Sequence, residues 1–253
     1  STGGCDCASA PSCASVIMSG NAVKFKRNNS VARSWKPVLP ASFTSFSVVG
    51  LGHIWTLGTT TVGADIGVWP GFGSNGSIIS GDFIFVNGSS EHRGTEMAKR
   101  AEVDAMFVYD TIANLSGLVL ADNNLTALTL IRGIYRVNGD ALLSGPLYLD
   151  GQGDSSSIFV IQIAGDLTIG AASNVKLLRG AEAYNVYWQI DGSVVVGEYS
   201  MLKGSLLSSG PIDVGFGSIV AGRLFGLNIS LSSNVISLFN RTGSVFPVDD
   251  PRC

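Results

Sequence analysis

Five short segments can be written under one another: "GPLYL" at 145, "GDLTI" at 165, "GSVVV" at 192, "GPIDV" at 210 and "LNISL" at 227. Each puts apolar residues at its third and fifth places: Leu147/Leu149, Leu167/Ile169, Val194/Val196, Ile212/Val214 and Ile229/Leu231. Successive starts differ by 20, 27, 18 and 17 residues. A second row ("FVIQIAG", "VYWQIDG", "GSLLSSG", "AGRLFGL") precedes four of them, and a third ("GAASNV", "GEYSML", "GFGSIV", "LSSNVI") follows. Three short strands per turn with glycine at the corners is the pattern of a parallel β-helix, in which one coil cannot bury its inward residues until another stacks on it. An antiparallel sandwich also has short strands but predicts no fixed triple row.

One segment is helical instead. Residues 89–117, "SSEHRGTEMAKRAEVDAMFVYDTIANLSG", open on Ser and Glu and close on Gly117, as helix ends prefer. Met97, Ala101, Ala105, Val108, Ile112 and Leu115 make a single apolar stripe, so a helix over about 89–115 should lie along a larger body. Residues 1–44 read as an N-terminal extension with one basic cluster, 45–240 as the β-helix domain and 241–253 as a C-terminal tail.

Composition narrows the function. Charged residues make up 14% of 253, and the net charge is −3, which leaves no electrostatic footprint for nucleic acid or an anionic membrane. No apolar run reaches the roughly 20 residues a spanning helix needs. Cys5, Cys7, Cys13 and Cys253 cluster at the two ends, which suits disulfides in an oxidising compartment with the pairing open. Seven N-x-S/T sequons, at Asn28, Asn75, Asn87, Asn114, Asn124, Asn228 and Asn240, agree with a secreted, extracellular protein.

Asp150, Asp154 and Asp166 lie within "LDGQGDSSSIFVIQIAGDLTIG" and could be a calcium site, an acid/base pair or polar turn residues. A polysaccharide-active β-helix would need several carboxylates converging on calcium and a basic partner. Asp166 and Asp213 hold comparable places, but Ser193 stands between them, and Lys176, Lys203 and Arg223 are not aligned with them. Only two histidines are present. The acids therefore read as corners, and neither an enzyme, a cofactor nor a metal is expected. A glycan-binding or adhesive module could use Tyr148, Tyr187, Tyr199 and Phe216, but Tyr187 is expected against the helix, which leaves that row sparse.

"GADIGVWPG" (63–71), "LDGQGDSSSIFVIQI" (149–163) and "LLRGAEAYNVYWQI" (177–190), in that order and with the helix between, resemble the hallmark stretches of the DUF3494 ice-binding proteins over roughly residues 45–240. That resemblance implies a discontinuous right-handed parallel β-helix of triangular cross-section, with an α-helix packed along one face and the N-terminal coil stacked beside the last C-terminal coil. It also implies an antifreeze function: adsorption to ice through a flat face, by a monomer whose partner is the ice crystal surface.

Members of the family carry T-A/G-x-T/N on the ice-facing strand. The matching positions are "LGTT" (57–60), "AASN" (171–174), "EYSM" (198–201) and "FGSI" (216–219), with Ser233 on the next coil. The implied ice-binding residues are Leu57, Thr60, Ala171, Asn174, Glu198, Met201, Phe216, Ile219 and Ser233. Only Thr60 and Asn174 keep a preferred fourth residue, and none of the four stretches has Thr at the first. Glu198, Met201, Phe216 and Ile219 depart from the pattern, so moderate freezing-point depression is expected. A second candidate face would present Tyr148, Asp166, Thr168, Ser193, Val195, Asp213, Asn228 and Ser230.

Overall fold

The computed structural model describes residues 39–70 and 78–238, together with the backbone of the antiparallel pair Val16–Ser19 and Ala22–Phe25. The four cysteines, the basic cluster and the sequons at Asn28, Asn75 and Asn240 lie outside the residues described with their side chains. Apart from the hairpin, all described strands join one sheet of 20 strands. Every pairing within that sheet is parallel; Gly133–Val137, Phe159–Ile163 and Val186–Ile190, for instance, stack in direct register.

Three rows of such strands make the three sides of a triangular prism. The covered side holds Phe46–Gly50, Asp65–Val68, Glu91–Arg93, Gly133–Val137, Phe159–Ile163 and Val186–Ile190, with the second halves of Met201–Ser208 and Ile219–Gly226. The second side holds Ala141–Leu143, Leu167–Ile169, Val194–Val196, Ile212–Val214, Ile229–Ser232 and the start of Ile54–Val62. On the third side are Thr129–Ile131, Pro146–Asp150, Asn174–Leu178, the first halves of Met201–Ser208 and Ile219–Gly226, Val235–Ser237 and the end of Ile54–Val62.

The coils are discontinuous, as expected. Residues 46–62 stack on 224–236, so the N-terminal strands continue the prism beyond its last C-terminal coil. All ten apolar residues of the aligned segments are buried. Alternation in each strand sends these side chains to the interior, where Trp188, Leu143 and Leu130 join them.

The helix is shorter than its sequence suggests. Helix α1 covers Ala41–Ser45 and α2 covers Glu96–Ala113. The Ser and Glu near residue 90 do not start α2, because Glu91–Arg93 instead extends the covered side as a strand paired with Asp65–Val68. Gly94, at φ 61°, turns the chain, and the Thr95 hydroxyl accepts from Ala98 N to cap the first turn. Met97 is consequently half exposed, and Ala98 takes its place in the buried stripe with Ala101, Ala105, Val108 and Ile112.

A separate apolar layer joins this stripe to Val160, Tyr187, Leu207 and Phe225 on the covered side, and Phe43 of α1 closes one edge. Gln162 Nε2 donates to Ile112 O (2.7 Å) and Leu115 O (2.9 Å), tying the end of α2 and the residues just after it to the prism. Tyr109 OH donates to Asp191 (2.7 Å) and holds the helix flank to the prism, while Gln189 Nε2 donates to the same carboxylate oxygen (2.6 Å) from the prism side.

Two consequences are measurable. Gly204 sits where Met201–Ser208 turns from the third to the covered side, with φ +105°; a Cβ there would lie 2.6 Å from Val186 O and 2.7 Å from Val186 Cβ. Gly204→Ala should lower stability by roughly 2–4 kcal/mol in denaturant unfolding, from backbone strain and overpacking together. Glu102 on α2 is half-buried, its Oε2 lacks a hydrogen-bond partner among the described residues, and burial pushes its pKa up to about 7. A carboxyl whose folded pKa is raised contributes fully below the unfolded value near 4.5 and loses that contribution as pH rises through about 7. Glu102→Gln should therefore raise the thermal midpoint at pH 8 and leave it nearly unchanged at pH 4.

Candidate functional site

The corner between the second and third sides repeats one backbone conformation. Gly58, Ala172, Tyr199, Gly217 and Ser233 all have positive φ, at 70°, 56°, 56°, 66° and 48°. They are linked coil to coil: Ala172 N–H donates to Glu198 O, Tyr199 to Phe216 O, Gly217 to Ser232 O and Ser233 to Leu57 O, all within 2.8–3.0 Å. Glycine adopts this left-handed turn without a Cβ penalty, which accounts for Gly58 and Gly217; Ala172, Tyr199 and Ser233 adopt it with one.

Each turn produces the same order of side chains. The residue before it is outward, giving the corner column Ala171, Glu198, Phe216, Ser232 and Leu57. The residue after it is inward in four coils, where Ser173, Ser200, Ser218 and Asn234 are buried; in the N-terminal coil an exposed Thr59 intervenes and Thr60 takes the buried place. The next is outward again, and Asn174, Met201, Ile219, Val235 and Thr61 stand in direct strand register.

Most of the expected residues fall into these two columns. Leu57, 75% exposed, joins Ala171, Glu198 and Phe216 at the corner. Asn174, Met201 and Ile219 are half-buried members of the strand column. Phe216 meets Tyr199 edge to face at 5.6 Å. Two residues are misplaced by the sequence pattern. Thr60 is 0% exposed and turned inward, so it cannot touch a surface, and Thr61 holds the outward place. Ser233 occupies the left-handed position, while Ser232 and Val235 are the column members of its coil. For Thr60 the cause is one extra residue: Ser232 pairs with Leu57 and Val235 with Thr61, so the N-terminal coil spends four steps where its neighbour spends three. A run of "GTTT" carries no polarity contrast that could reveal it.

The second side presents a column of Leu142, Thr168, Val195, Asp213, Ser230 and Trp55. Tyr148 does not belong to it. Its strand pairs with Thr129–Ile131 and Asn174–Leu178 on the third side, where Lys176 Nζ lies 5.8 Å from the Tyr148 ring centre. The motif "GPLYL" has the alternation of a second-side strand, and alternation marks inside from outside without naming the side.

Asp166, Ser193 and Asn228 lie just before the second-side strands, at the corner with the covered side. There Asp166 accepts from Ser193 N (2.7 Å), Asp140 from Asp166 N (2.9 Å) and Asn228 Oδ1 from His53 N (2.9 Å). Asn228 is half-buried in this ladder, whereas the sequon residues Asn87, Asn114 and Asn124 are exposed.

The three acids of 149–170 are therefore structural. The Ser193 amide holds Asp166 below the usual carboxylate range. Asp150, lowered chiefly by Arg179, bonds that guanidinium and the Gln152 amide. Asp154, lowered chiefly by the Ser156 hydroxyl and amide, also pairs with Arg132 at 2.7 Å. Among the described residues no three His, Cys, Asp or Glu side chains are grouped to hold a metal. Arg223 is drawn under α1, where its Nη2 donates to Thr44 O at 3.1 Å and its guanidinium stacks over Phe43. Tyr187 is buried beneath α2, so the aromatics do not form one row. Among the described residues no helix is long and apolar enough to cross a membrane.

Known proteins share this architecture. An ice-binding protein of Shewanella frigidimarina is 38% identical over 117 residues, 45% of this chain and 13% of its own length. An ice-binding protein of Nostoc sp. is 29% identical over 201 residues, covering 77% of this chain and 71% of that protein. The crystal structure of an ice-binding protein from the Antarctic ascomycete Antarctomyces psychrotrophicus superposes with a TM-score of 0.70 at 27% identity, over 79% of this chain and 97% of the other. The Ice-binding-like family profile matches residues 48–237, and with the discontinuous prism, its covering helix and its repeated left-handed corner, the chain belongs to that family.

Proposed function

We propose that this chain adsorbs to ice as a non-catalytic, extracellular monomer, and that the corner and third side form its contact surface. The observation that carries the reading is the in-register column Asn174, Met201, Ile219, Val235 and Thr61, flanked by Ala171, Glu198, Phe216, Ser232 and Leu57. Parallel coils repeat at roughly 4.7–4.9 Å, near the oxygen repeats of common ice planes. Ice differs from liquid water in order alone, so recognition needs a stiff array that holds water in a partly ice-like layer. Strand register supplies the stiffness here, and the side chains are mostly short or apolar.

Glu198 interrupts the corner column with a charge that binds liquid water well, which supports moderate activity. The second side carries Asp213, hydrogen-bonded by the Ser230 hydroxyl, in the middle of its column, and is the weaker surface for the same reason. Its exposed Leu142, Val195 and Trp55 make it the rival to be tested. Cysteines confined to the chain ends and exposed sequons support an extracellular setting.

Ile219→Lys should abolish faceting and thermal hysteresis of a single ice crystal near its melting point, while Thr168→Lys on the second side should leave both intact. The reverse result would move the contact surface to the second side; retention by both variants would overturn ice adsorption through either. Glu198→Thr should raise hysteresis severalfold.

A further inference from the structure

The inward residues of the corner raise a separate question, because an apolar core has no need of them. Ser173, Ser200, Ser218, Asn234 and Thr60 all lie at 0–1% exposure among Val175, Leu202, Val220, Ile236 and Val62. A buried hydroxyl or amide is costly unless it is hydrogen-bonded, and each of these bonds the turn of an adjoining coil.

Ser218 Oγ donates to Gly197 O (2.9 Å) and accepts from Ser200 N (3.0 Å), so it brackets Glu198 and Tyr199 from beneath. Asn234 Nδ2 does the same for Phe216 and Gly217 by donating to Gly215 O (2.8 Å) and Ser218 O (3.3 Å). Ser173 Oγ accepts from Gly145 N (3.0 Å) and donates to Leu143 O (3.2 Å), and Ser200 Oγ donates to Gly170 O (3.0 Å). Thr60 Oγ1 accepts from Asn234 N (3.1 Å) and shares a 2.7 Å hydrogen bond with Thr56. The two brackets made by Ser218 and Asn234 each enclose one member of the corner column, Glu198 and Phe216.

We infer that this buried ladder positions the ice-contacting surface: it sets the height and spacing of the corner column against the strand column, and is selected for that alignment rather than for stability alone. The inference rests on the reading that the corner and third side meet ice. Between coils the strands themselves keep register, but a left-handed turn makes few backbone bonds of its own. Without the bracket an outward residue such as Glu198 or Phe216 keeps the backbone bond at its own carbonyl but loses the hold on the residues flanking its turn, so its height relative to its neighbours is set less tightly. A rigid crystal plane senses such a displacement, whereas the fold does not.

The decisive variant is Ser218→Ala, which removes both bonds and adds no bulk; Ser200→Ala, which removes one donor, serves if the first folds poorly. Val214→Ala, a core truncation beneath the second side, is the stability control. Hysteresis is measured just below the melting point on samples shown folded by circular dichroism, together with the thermal midpoint. Ser218→Ala should lose hysteresis severalfold, Val214→Ala should keep it at an equal or larger loss of midpoint, and Ser218→Thr, bearing the hydroxyl that Thr60 uses, should restore it. Equal losses in Ser218→Ala and Val214→Ala, or full activity in Ser218→Ala, would overturn the inference. Ile219→Lys in the same series separates the two ideas: if it too stays active, the surface itself is wrong; if it is inactive while Ser218→Ala is active, only the positioning role fails.

Discussion

Parallel backbone pairing between successive coils is the constraint from which the rest of this molecule follows. Because each strand hydrogen-bonds to its equivalent one coil away, side chains at equivalent positions must stack at a single spacing on all three sides. Inside, that requirement produces continuous columns of valine, leucine and isoleucine. Outside, it converts an irregular sequence into a regular lattice of attachment points, whatever residues occupy them. The same geometry forces three corners per coil, and the protein solves them differently: Asp and Asn side chains cap the next coil's amides at one, a left-handed turn over a buried polar ladder forms the second, and glycine-mediated bends form the third.

The helix belongs to the same logic. A side of the prism built from Val160, Tyr187, Leu207 and Phe225 is apolar outward as well as inward and cannot face water. Helix α2 covers it with alanines at its centre, which let it approach closely, and glutamine and tyrosine bonds fix its end and flank. Burial on both faces stiffens that side, and stiffness there is transmitted to the others through the shared corners.

How far the sequence disclosed this depends on what kind of contrast each feature carries. Inward positions such as Val194 and Val196 were legible because burial imposes a period of two. The acids at 150, 154 and 166 were legible as corners because glycines adjoin them. Tyr148 was not, since strands of the second and third sides alternate identically and only the pairing partner tells them apart. Nor was the start of α2, where stacking of Glu91–Arg93 on the sheet outweighs a local helix signal. Thr60 is the most instructive: a single added residue in the N-terminal coil reverses which threonine points out, and consecutive threonines leave no trace of that shift in composition.

The joining of residues 46–62 to coils 219–237 has a kinetic meaning. During synthesis the strands of 46–62 soon gain one neighbour, in 65–68 and 79–85, but their other edge stays unpaired until more than 150 further residues have followed (from 62 to 219). Contacts this distant in sequence slow folding and prolong the exposure of strand edges. Helix α2 reaches from the N-terminal strands to Phe159–Ile163 across the junction, touching both parts. It can therefore act as a splint, gathering the early strands onto the growing prism before the final coil closes the gap.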